Sequence, residues 1–155
     1  MTLSELNIFR TALGISESGG NYYNDLGQYW GKYQFGDARR RDIEKILNLH
    51  HLTRAEFTPA MQEQYFNAHI NDYENRIYKD GLQRYFGTQI TGKRNKITSL
   101  INKFGIIAGA HLGGFNGVKK YFSTGGKYDP ADSLGTHISD YIAKFSKVTA
   151  KKKLI

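Results

Sequence analysis

Apolar residues near the start of the chain recur at the spacing of one helix face. The stripe comprises Leu6, Phe9, Ala12, Leu13 and Ile15. Thr2 and Glu5 have the spacing of a capping box, in which a hydroxyl and a carboxylate satisfy backbone N–H groups at a helix start. Gly19 and Gly20 favour the left-handed conformation that ends many helices. The pattern therefore predicts a first helix that begins near Thr2 and holds Glu17 and Ser18 in its last turn.

Later segments also show helical periodicity, and a basic loop is expected over residues 87–96. Helices are predicted from about Asp37 to Leu49, from Thr58-Pro59 to as far as Tyr85, from about Thr98 to Leu112, over 118–122, and from a cap at Thr136. The residues expected to face inward are Ala38, Ile43, Ile46, Leu47, Met61, Tyr65, Ala68, Tyr73, Ile77, Ile101, Phe104, Ile107 or Ala108, Leu112, Ile138, Tyr141, Ile142 and Phe145.

Residues 19–36 differ from the rest of the chain. They combine glycines with four Tyr, one Trp and one Phe among Asn, Asp and Gln, and they have no helical period. This composition predicts a structured loop or a short irregular sheet. The chain is therefore expected to be all-α, or mostly α, with one domain over residues 1–146, this insert after its first helix, and a basic tail over residues 147–155.

The 155-residue chain carries a formal net charge of +8, from 22 Lys and Arg against 14 Asp and Glu. The charge is uneven, because residues 1–38 hold two basic and four acidic residues. No acidic residue stands between Asp80 and Asp129, where eight Lys and Arg fall. The charge therefore favours a polyanionic partner, and nucleic acid, an anionic membrane and an acidic cell-wall glycan all agree with it.

Composition also argues against several kinds of site. The absence of Cys excludes disulfides, thiolate metal sites and cysteine nucleophiles. The five His residues lack a metal-binding spacing, and neither a phosphate-binding glycine loop nor a Gly-x-Ser-x-Gly motif occurs. No apolar run approaches the roughly 20 residues that cross a bilayer. We therefore expect no metal, no cofactor and no membrane insertion.

Glu17 is the principal candidate for acid–base chemistry. A carboxylate in the last turn of a helix lies near the negative end of the helix dipole, and aromatic neighbours would add desolvation. Both effects favour the neutral carboxylic acid, which can donate a proton near neutral pH. Two plainer interpretations stay open: Glu17 as an exposed residue before a glycine cap, and the aromatic insert as a small core rather than a surface for sugar rings.

Three motifs in order carry a resemblance to a known family. They are Glu17-Ser18-Gly19-Gly20-Asn21, Gly31-Lys32-Tyr33-Gln34-Phe35 and Ala110-His111-Leu112-Gly113-Gly114. Together they resemble the Glu-Ser, Gly-x-x-Gln and Ala-Tyr-Asn-Ala-Gly motifs of the lytic transglycosylase and goose-type lysozyme superfamily. With residues 135–141, they look especially similar to a subgroup of small bacterial and phage domains that degrade peptidoglycan. The resemblance implies a lysozyme-like fold.

The resemblance also implies an activity and the residues that perform it. Glu17 would be the catalytic acid of a muramidase, which cleaves the β-1,4 bond between N-acetylmuramic acid and N-acetylglucosamine. The implied substrate-binding or positioning residues are Ser18, Tyr22, Tyr33, Gln34, His111 and Gly113. His111 and Leu112 replace the Tyr and Asn that are usual in the family, so the contacts of those two positions are open. Gln62-Glu63 and Glu74-Asn75 are the candidates for the family's Glu-Asn pair on a central helix.

A second carboxylate would decide the chemistry, because glycosidases usually place two carboxyl groups across the bond. Lytic transglycosylases use one Glu and close a 1,6-anhydro product. Asp25 and Asp129 are the candidates for a second carboxylate, although a turn residue is the plainer interpretation of each. Asp37 is expected to cap a helix. Hydrolysis and anhydro formation both stay open.

The expected partner is peptidoglycan, bound by a monomer, with delivery machinery or an immunity protein as further partners and no nucleic acid. Because Glu5 comes early and no apolar region follows, we expect synthesis in the cytoplasm without a signal peptide. Action would follow in the periplasm or on the cell wall, after phage lysis or delivery by a secretion system. The alternatives are a basic nucleic-acid-binding domain that uses residues 81–128, and a wall-binding module without turnover.

Overall fold

The computed structural model of the protein describes residues 1–89 and 100–153, the last five of them by their backbone alone. The helices of this part are α1, Leu3–Ser18; α2, Asp37–Leu47; α3, Pro59–Lys79; α4, Lys103–Gly113; α5, Phe115–Ser123; and α6, Ile138–Lys153. A two-stranded antiparallel sheet joins β1, Asp25–Leu26, to β2, Tyr29–Trp30. With 60% helix, the structure confirms the mostly-α class. No described helix is long and apolar enough to span a membrane.

The chain divides into two compact units, residues 1–72 and residues 73–155. Helix α3 contributes residues to both units. The division separates the charges, because residues 1–72 hold seven basic and nine acidic residues, whereas residues 73–155 hold fifteen basic and five acidic ones. The excess of positive charge therefore belongs to the second unit.

Helix α1 has the predicted boundaries. The Thr2 hydroxyl accepts a 3.1 Å hydrogen bond from the Glu5 N–H, and the Glu5 carboxylate accepts a 2.9 Å bond from the Thr2 N–H. Gly19 ends the helix with a φ of +67°. The predicted capping box and the placement of Glu17 in the last turn are thus confirmed. Ile15 is exposed, contrary to prediction, because two residues beyond Leu13 is nearly the opposite side of a helix.

Helix α2 turns charged as well as apolar side chains inward, and the predicted inward position of Ile43 is confirmed. Arg40 and Glu44 are buried beside Ile43, whereas Ala38 and Ile46 are exposed, so their predicted inward positions were wrong. The buried carboxylate accepts hydrogen bonds from the Tyr65 hydroxyl, at 2.7 Å, and from a backbone N–H. Both bonds reach Oε2, whereas Oε1 has an ion pair with the Arg41 guanidinium, whose Nε lies 3.3 Å away. Polar and charged partners thus accompany the buried carboxylate.

The boundaries of α2 also differ from prediction. Gly36 occupies the N-cap, and Asp37 is the first helical residue rather than the cap. The helix ends at Leu47, because Asn48 takes a left-handed conformation with a φ of +56°. Asn tolerates this conformation better than most residues do.

The core of the first unit is aromatic. Its fully buried members include Phe9, Leu13, Tyr33, Phe35, Phe57, Tyr65 and Phe66. Tyr33 stacks on Phe66 with ring centroids 4.4 Å apart, and Phe57 meets Tyr65 edge to face at 4.9 Å. Part of the glycine-aromatic insert is therefore core, and the short β-hairpin within it confirms the predicted irregular sheet.

Close packing of α4 on α6 organises the second unit. Gly105, Gly109 and Gly113 form one row on α4, and a Cβ on each would lie within 3 Å of α6 atoms. At Gly105 the added Cβ would lie 2.0 Å from the Ser146 hydroxyl oxygen. The glycine row therefore lets the two backbones approach. The predicted inward residues Ile138, Tyr141, Ile142 and Phe145 of α6 are confirmed as buried.

Several boundaries in the second unit differ from prediction. Helix α3 stops at Lys79 because Gly81 turns left-handed, and a short 3-10 helix spans Leu82–Tyr85. Helix α4 begins at Lys103 with Asn102 as its cap, whereas the predicted start at Thr98 and residues 90–96 of the predicted loop lie outside the described residues. Helix α6 begins at Ile138, two residues after Thr136, and residues 147–153 continue it.

Candidate functional site

The end of α1 and the Gly-x-x-Gln segment meet directly. Ser18 follows Glu17 in the last helical turn, and its hydroxyl donates a 2.7 Å hydrogen bond to the Lys32 carbonyl oxygen. The same hydroxyl oxygen accepts a 3.0 Å bond from the N–H of Asn21. Glu17 itself is half-buried. The two motifs, separated by 14 residues in sequence, therefore form one local structure around Ser18.

Gln62 of α3 holds this segment from the other side. Its side-chain carbonyl accepts a 2.9 Å bond from the Lys32 N–H, and its amide donates a 3.0 Å bond to the Tyr22 carbonyl oxygen. Gly31, with a φ of +81°, lies so close that an added Cβ would stand 2.2 Å from the Gln62 oxygen. Glycine is required here both for its conformation and for the close approach.

Glu63, next on α3, accepts three hydrogen bonds from the 22–33 segment and forms an ion pair with α1. The hydroxyls of Tyr22 and Tyr33 donate to its two carboxylate oxygens at 2.5 and 2.6 Å. The Lys32 ammonium lies 3.2 Å from one oxygen, and the Arg10 guanidinium Nε lies 2.9 Å from the other. One carboxylate thus ties α1 and the 22–33 segment to α3.

The environment of Glu63 fixes its protonation state. Burial opposes its ionisation, but hydrogen bonds from Tyr22, Tyr33 and Lys32 together outweigh this effect and lower its pKa. Burial and the same carboxylate raise the pKa of Tyr22 to about 12, and they raise the pKa of Tyr33 further. At neutral pH the tyrosines are donors and Glu63 is an acceptor, so Glu63 is suited to holding the loop rather than to donating protons.

Gln34 adopts an unusual backbone conformation. Its φ of +53° is left-handed, which few residues other than glycine adopt. Its side-chain amide donates to the Gly31 carbonyl, at 2.9 Å, and to the Asn24 carbonyl. The local hydrogen bonds support the strained residue, and strain of this kind concentrates at functional sites.

The inner side of the β-hairpin is held by two arginines. Asp25 accepts a 3.1 Å bond from the Gly31 N–H and forms a 2.7 Å ion pair with Arg54. The Arg40 guanidinium lies 3.6 Å from the Trp30 ring centroid and donates to the Gln28 carbonyl at 2.6 Å. The predicted second carboxylate Asp25 is therefore engaged in holding the hairpin.

The structure changes the role of the predicted aromatic residues. Tyr33 is fully buried, so the prediction that it contacts substrate is corrected: its hydroxyl holds Glu63. Tyr22 points its hydroxyl to the same carboxylate. Trp30 packs between Arg40 and Phe57. These rings serve the internal structure of the insert.

The remaining predicted site residues belong to the second unit. His111 is half-buried in the last turn of α4. Gly113 faces α6, where an added Cβ would lie 2.6 Å from the Ile138 side chain, so close packing accounts for it. The Asp129 carboxylate is buried and accepts a 2.9 Å bond from the Ser139 N–H and a second from the Ser139 hydroxyl. The prediction of a second catalytic carboxylate there is therefore corrected, because Asp129 anchors the start of α6.

Sequence reasoning missed Arg10, Arg40 and Arg54. Arg10 and Arg40 lie on helices, but neither belongs to the apolar stripe by which the helix is recognised. Their partners, Glu63 and Trp30, come from distant segments. The sequence did single out the neighbouring residues Gln62 and Glu63 as one candidate for a Glu-Asn pair, and both bind the 22–33 segment. Within residues 1–89 and 100–153, no group of three or more His, Asp or Glu side chains is placed to hold a metal ion.

Comparison of the chain with protein-family models, with curated proteins and with solved structures finds no match.

Proposed function

We propose that the protein is a peptidoglycan-degrading muramidase with Glu17 as its general acid. The observation that carries the proposal is the contact between the Ser18 hydroxyl and the Lys32 carbonyl, which joins the Glu-Ser and Gly-x-x-Gln motifs. The strained Gln34 and the close approach of Gly31 to Gln62 support it, since both belong to the same segment. The substrate is the β-1,4 bond between N-acetylmuramic acid and N-acetylglucosamine.

In the proposed reaction, Glu17 donates its proton to the glycosidic oxygen as the bond from that oxygen to C1 of N-acetylmuramic acid breaks. The departing N-acetylglucosamine leaves as an alcohol, and Glu17 becomes a carboxylate. This carboxylate then removes a proton from the nucleophile that attacks C1. Water as nucleophile gives a reducing end, whereas the 6-hydroxyl of the same sugar gives a 1,6-anhydro product.

The contacts of the other carboxylates favour the second outcome. Asp25 is paired with Arg54, and Glu63 accepts from two tyrosines and lies beside two cations. Neither is available as the second carboxyl group that hydrolysing glycosidases usually carry. We therefore propose a mechanism with one carboxylate and expect anhydro-muropeptides.

Digestion of purified peptidoglycan by wild type and Glu17→Gln tests the proposal. Mass spectrometry of the wild-type digest should show muropeptides with anhydro ends, and Glu17→Gln should release none while keeping the wild-type melting temperature. Glu56→Gln, which removes an exposed carboxylate elsewhere in the same unit, should retain activity. Muropeptide release by a folded Glu17→Gln protein would refute the assignment. If the wild-type digest contains reducing ends and no anhydro ends, Glu17 keeps its role as the acid, but the reaction is hydrolysis rather than anhydro formation.

The proposed setting is the bacterial cell wall or periplasm, reached after phage lysis or through a secretion system. Delivery machinery and an immunity protein are the further partners proposed with it.

A basic nucleic-acid-binding domain is the second candidate, and the separation of charge favours it. Residues 73–155 carry a net charge of +10, which would attract a phosphate backbone. A gel shift with duplex and single-stranded DNA over a salt series measures this directly. Tight binding that weakens with salt, together with no muropeptide release, would support this function over the muramidase.

A further inference from the structure

The β-hairpin has two faces that differ in their contacts. Leu26 pairs with Tyr29 across the two strands, and Asp25 pairs with Trp30. Residues that are directly opposite in a sheet share a face, and successive residues alternate. Leu26 and Tyr29 therefore share the outer face, while Asp25 and Trp30 share the inner face.

The outer face exposes apolar and aromatic surface. On this face Leu26 is 58% exposed and Tyr29 is 47% exposed. Tyr23, which lies outside the sheet in the turn before β1, is 71% exposed. Tyr33 of the same insert is buried, and Tyr22 and Trp30 are half-buried and engaged by Glu63 and Arg40. Tyr23 and Tyr29 are thus the aromatic rings of the insert that remain available to a ligand.

The support beneath this face is built from specific contacts. Arg54 pairs with Asp25 at 2.7 Å, and Arg40 covers the Trp30 ring and binds the backbone of the turn at Gln28. One edge of the Tyr29 ring lies against Gly36, where an added Cβ would stand 3.2 Å from it. An exposed surface on an anchored hairpin offers a ligand preorganised contacts, which reduces the entropy lost on binding.

The charge of this surface selects the chemistry of the ligand. Residues 19–36 include two charged side chains, Asp25 and Lys32, and both are paired within the first unit. Nucleic acids and anionic lipids require cationic contacts. Apolar side chains with tyrosine rings instead suit an uncharged sugar ring, because tyrosine offers a flat apolar face and a hydroxyl.

The glycines between Glu17 and the hairpin have open space beside them. Gly19 and Gly20 connect the two, and a Cβ added at either position would meet nothing within 4 Å. The same is true of Gly27 in the hairpin turn. Backbone that lacks side-chain cover allows close approach of a ligand.

We propose that Tyr23, Leu26 and Tyr29 form a glycan-binding surface that contacts the sugar rings of a strand extending beyond Glu17. The identification of that strand as peptidoglycan rests on the proposed function. The binding of N-acetylated sugars at this surface can be measured without turnover.

The test uses the full chain with Glu17→Gln as background and the hexamer of N-acetylglucosamine as probe. Trp30 is the single tryptophan and lies on the inner face of the same hairpin, so its fluorescence reports on binding. Tyr23→Ala and Tyr29→Ala are compared with Tyr78→Ala, which removes a ring that is 50% exposed in the second unit. The hexamer should change the Trp30 fluorescence, and each hairpin variant should weaken binding about two- to tenfold, the loss expected for a ring contact. Tyr78→Ala should bind like the background protein.

The outcomes separate this inference from the proposed function. The same substitutions in a protein with Glu17 intact are tested for muropeptide release. Unchanged hexamer affinity in folded Tyr23→Ala and Tyr29→Ala proteins would overturn the glycan-binding surface, even if the wild type degrades peptidoglycan. Weakened hexamer binding in both variants, without degradation by the wild type, would support the surface and refute the muramidase. Absence of hexamer binding to the background protein would also overturn the surface.

Discussion

The hydroxyl of Ser18 donates a 2.7 Å hydrogen bond to the carbonyl oxygen of Lys32. This bond fastens the last turn of α1, which carries Glu17, to the Gly-x-x-Gln segment. Lys32 is also held through its N–H by Gln62 and through its ammonium by Glu63. Ser18 therefore fixes the backbone beside the proposed acid, and we propose it as a positioning residue.

Ser18→Ala should lower activity without removing the acid. Loss of the hydrogen bond to Lys32 should lower the free energy of unfolding by about 1 kcal/mol. Muropeptide release should fall more than this change in stability explains at temperatures where the variant is folded. Ser133→Ala, in an exposed loop of the second unit, is the matched control. Wild-type activity in Ser18→Ala would show that this contact does not position the site.

Glu63→Gln should destabilise the protein in a pH-dependent manner. The folded-state pKa of Glu63 lies below its ordinary value of 4.5, because the hydrogen bonds it accepts outweigh the effect of burial. Its ionised form therefore stabilises the fold above pH 4.5, and this contribution is lost as the pH falls through the folded-state pKa. Urea denaturation at neutral pH should show a loss of about 1–3 kcal/mol for the variant.

The decisive measurement is the difference in unfolding free energy between wild type and Glu63→Gln at pH 7 and at a pH below the folded-state pKa of Glu63. The difference should shrink at the lower pH, since both proteins then carry a neutral group. Asp42→Asn, which removes a well-exposed carboxylate on α2, should show little effect at neutral pH. A difference that is the same at both values would contradict a stabilising role for the ionised carboxylate.

The parts of the fold that local chemistry determines could be predicted from the sequence. The boundaries of α1 follow from Thr2, Glu5 and Gly19, which are neighbours of the helix they cap. The placement of Glu17 and Ser18 follows from those boundaries. The short sheet in the insert is likewise a consequence of local composition.

The roles of individual rings and charges in the insert could not be predicted in this way. Tyr33 is buried and Tyr29 is exposed although both lie in the same glycine-aromatic segment. The difference arises because Glu63, 30 residues further along, accepts the Tyr33 hydroxyl. Arg40 is buried for the same kind of reason. Its guanidinium lies over the Trp30 ring and donates hydrogen bonds to two backbone carbonyls. Such pairings depend on tertiary structure, which no local pattern reveals.

Gly31→Ala should disrupt the site more than Gly27→Ala does. Both glycines have positive φ, +81° and +62°, so either substitution introduces backbone strain of about 1–2 kcal/mol. Only at Gly31 would the new methyl group also collide with Gln62, 2.2 Å from its oxygen. Thermal unfolding should therefore show a clearly larger loss for Gly31→Ala, accompanied by loss of muropeptide release.

A double variant separates strain from collision at this position. Gln62→Ala removes the colliding side chain, so Gly31→Ala should cost less in that background than in the wild type. Equal losses for Gly31→Ala in the two backgrounds would show that the close approach to Gln62 is unimportant.

Gly105→Ala should destabilise the second unit, whereas Gly117→Ala should not. A Cβ at Gly105 would stand 2.0 Å from the Ser146 hydroxyl oxygen and 2.6 Å from the Ile142 carbonyl oxygen. The second atom belongs to the backbone of α6, so a side-chain rotation cannot relieve the collision and α4 must move away. Overpacking of this kind typically costs about 1–3 kcal/mol.

Gly117 on α5 is the control position. The atom nearest to an added Cβ there would be 3.6 Å away, which is an ordinary contact. Ala also favours a helix by up to about 1 kcal/mol relative to Gly. Urea denaturation should therefore move the two midpoints in opposite directions from wild type, and a stable Gly105→Ala protein would contradict the close packing of α4 on α6.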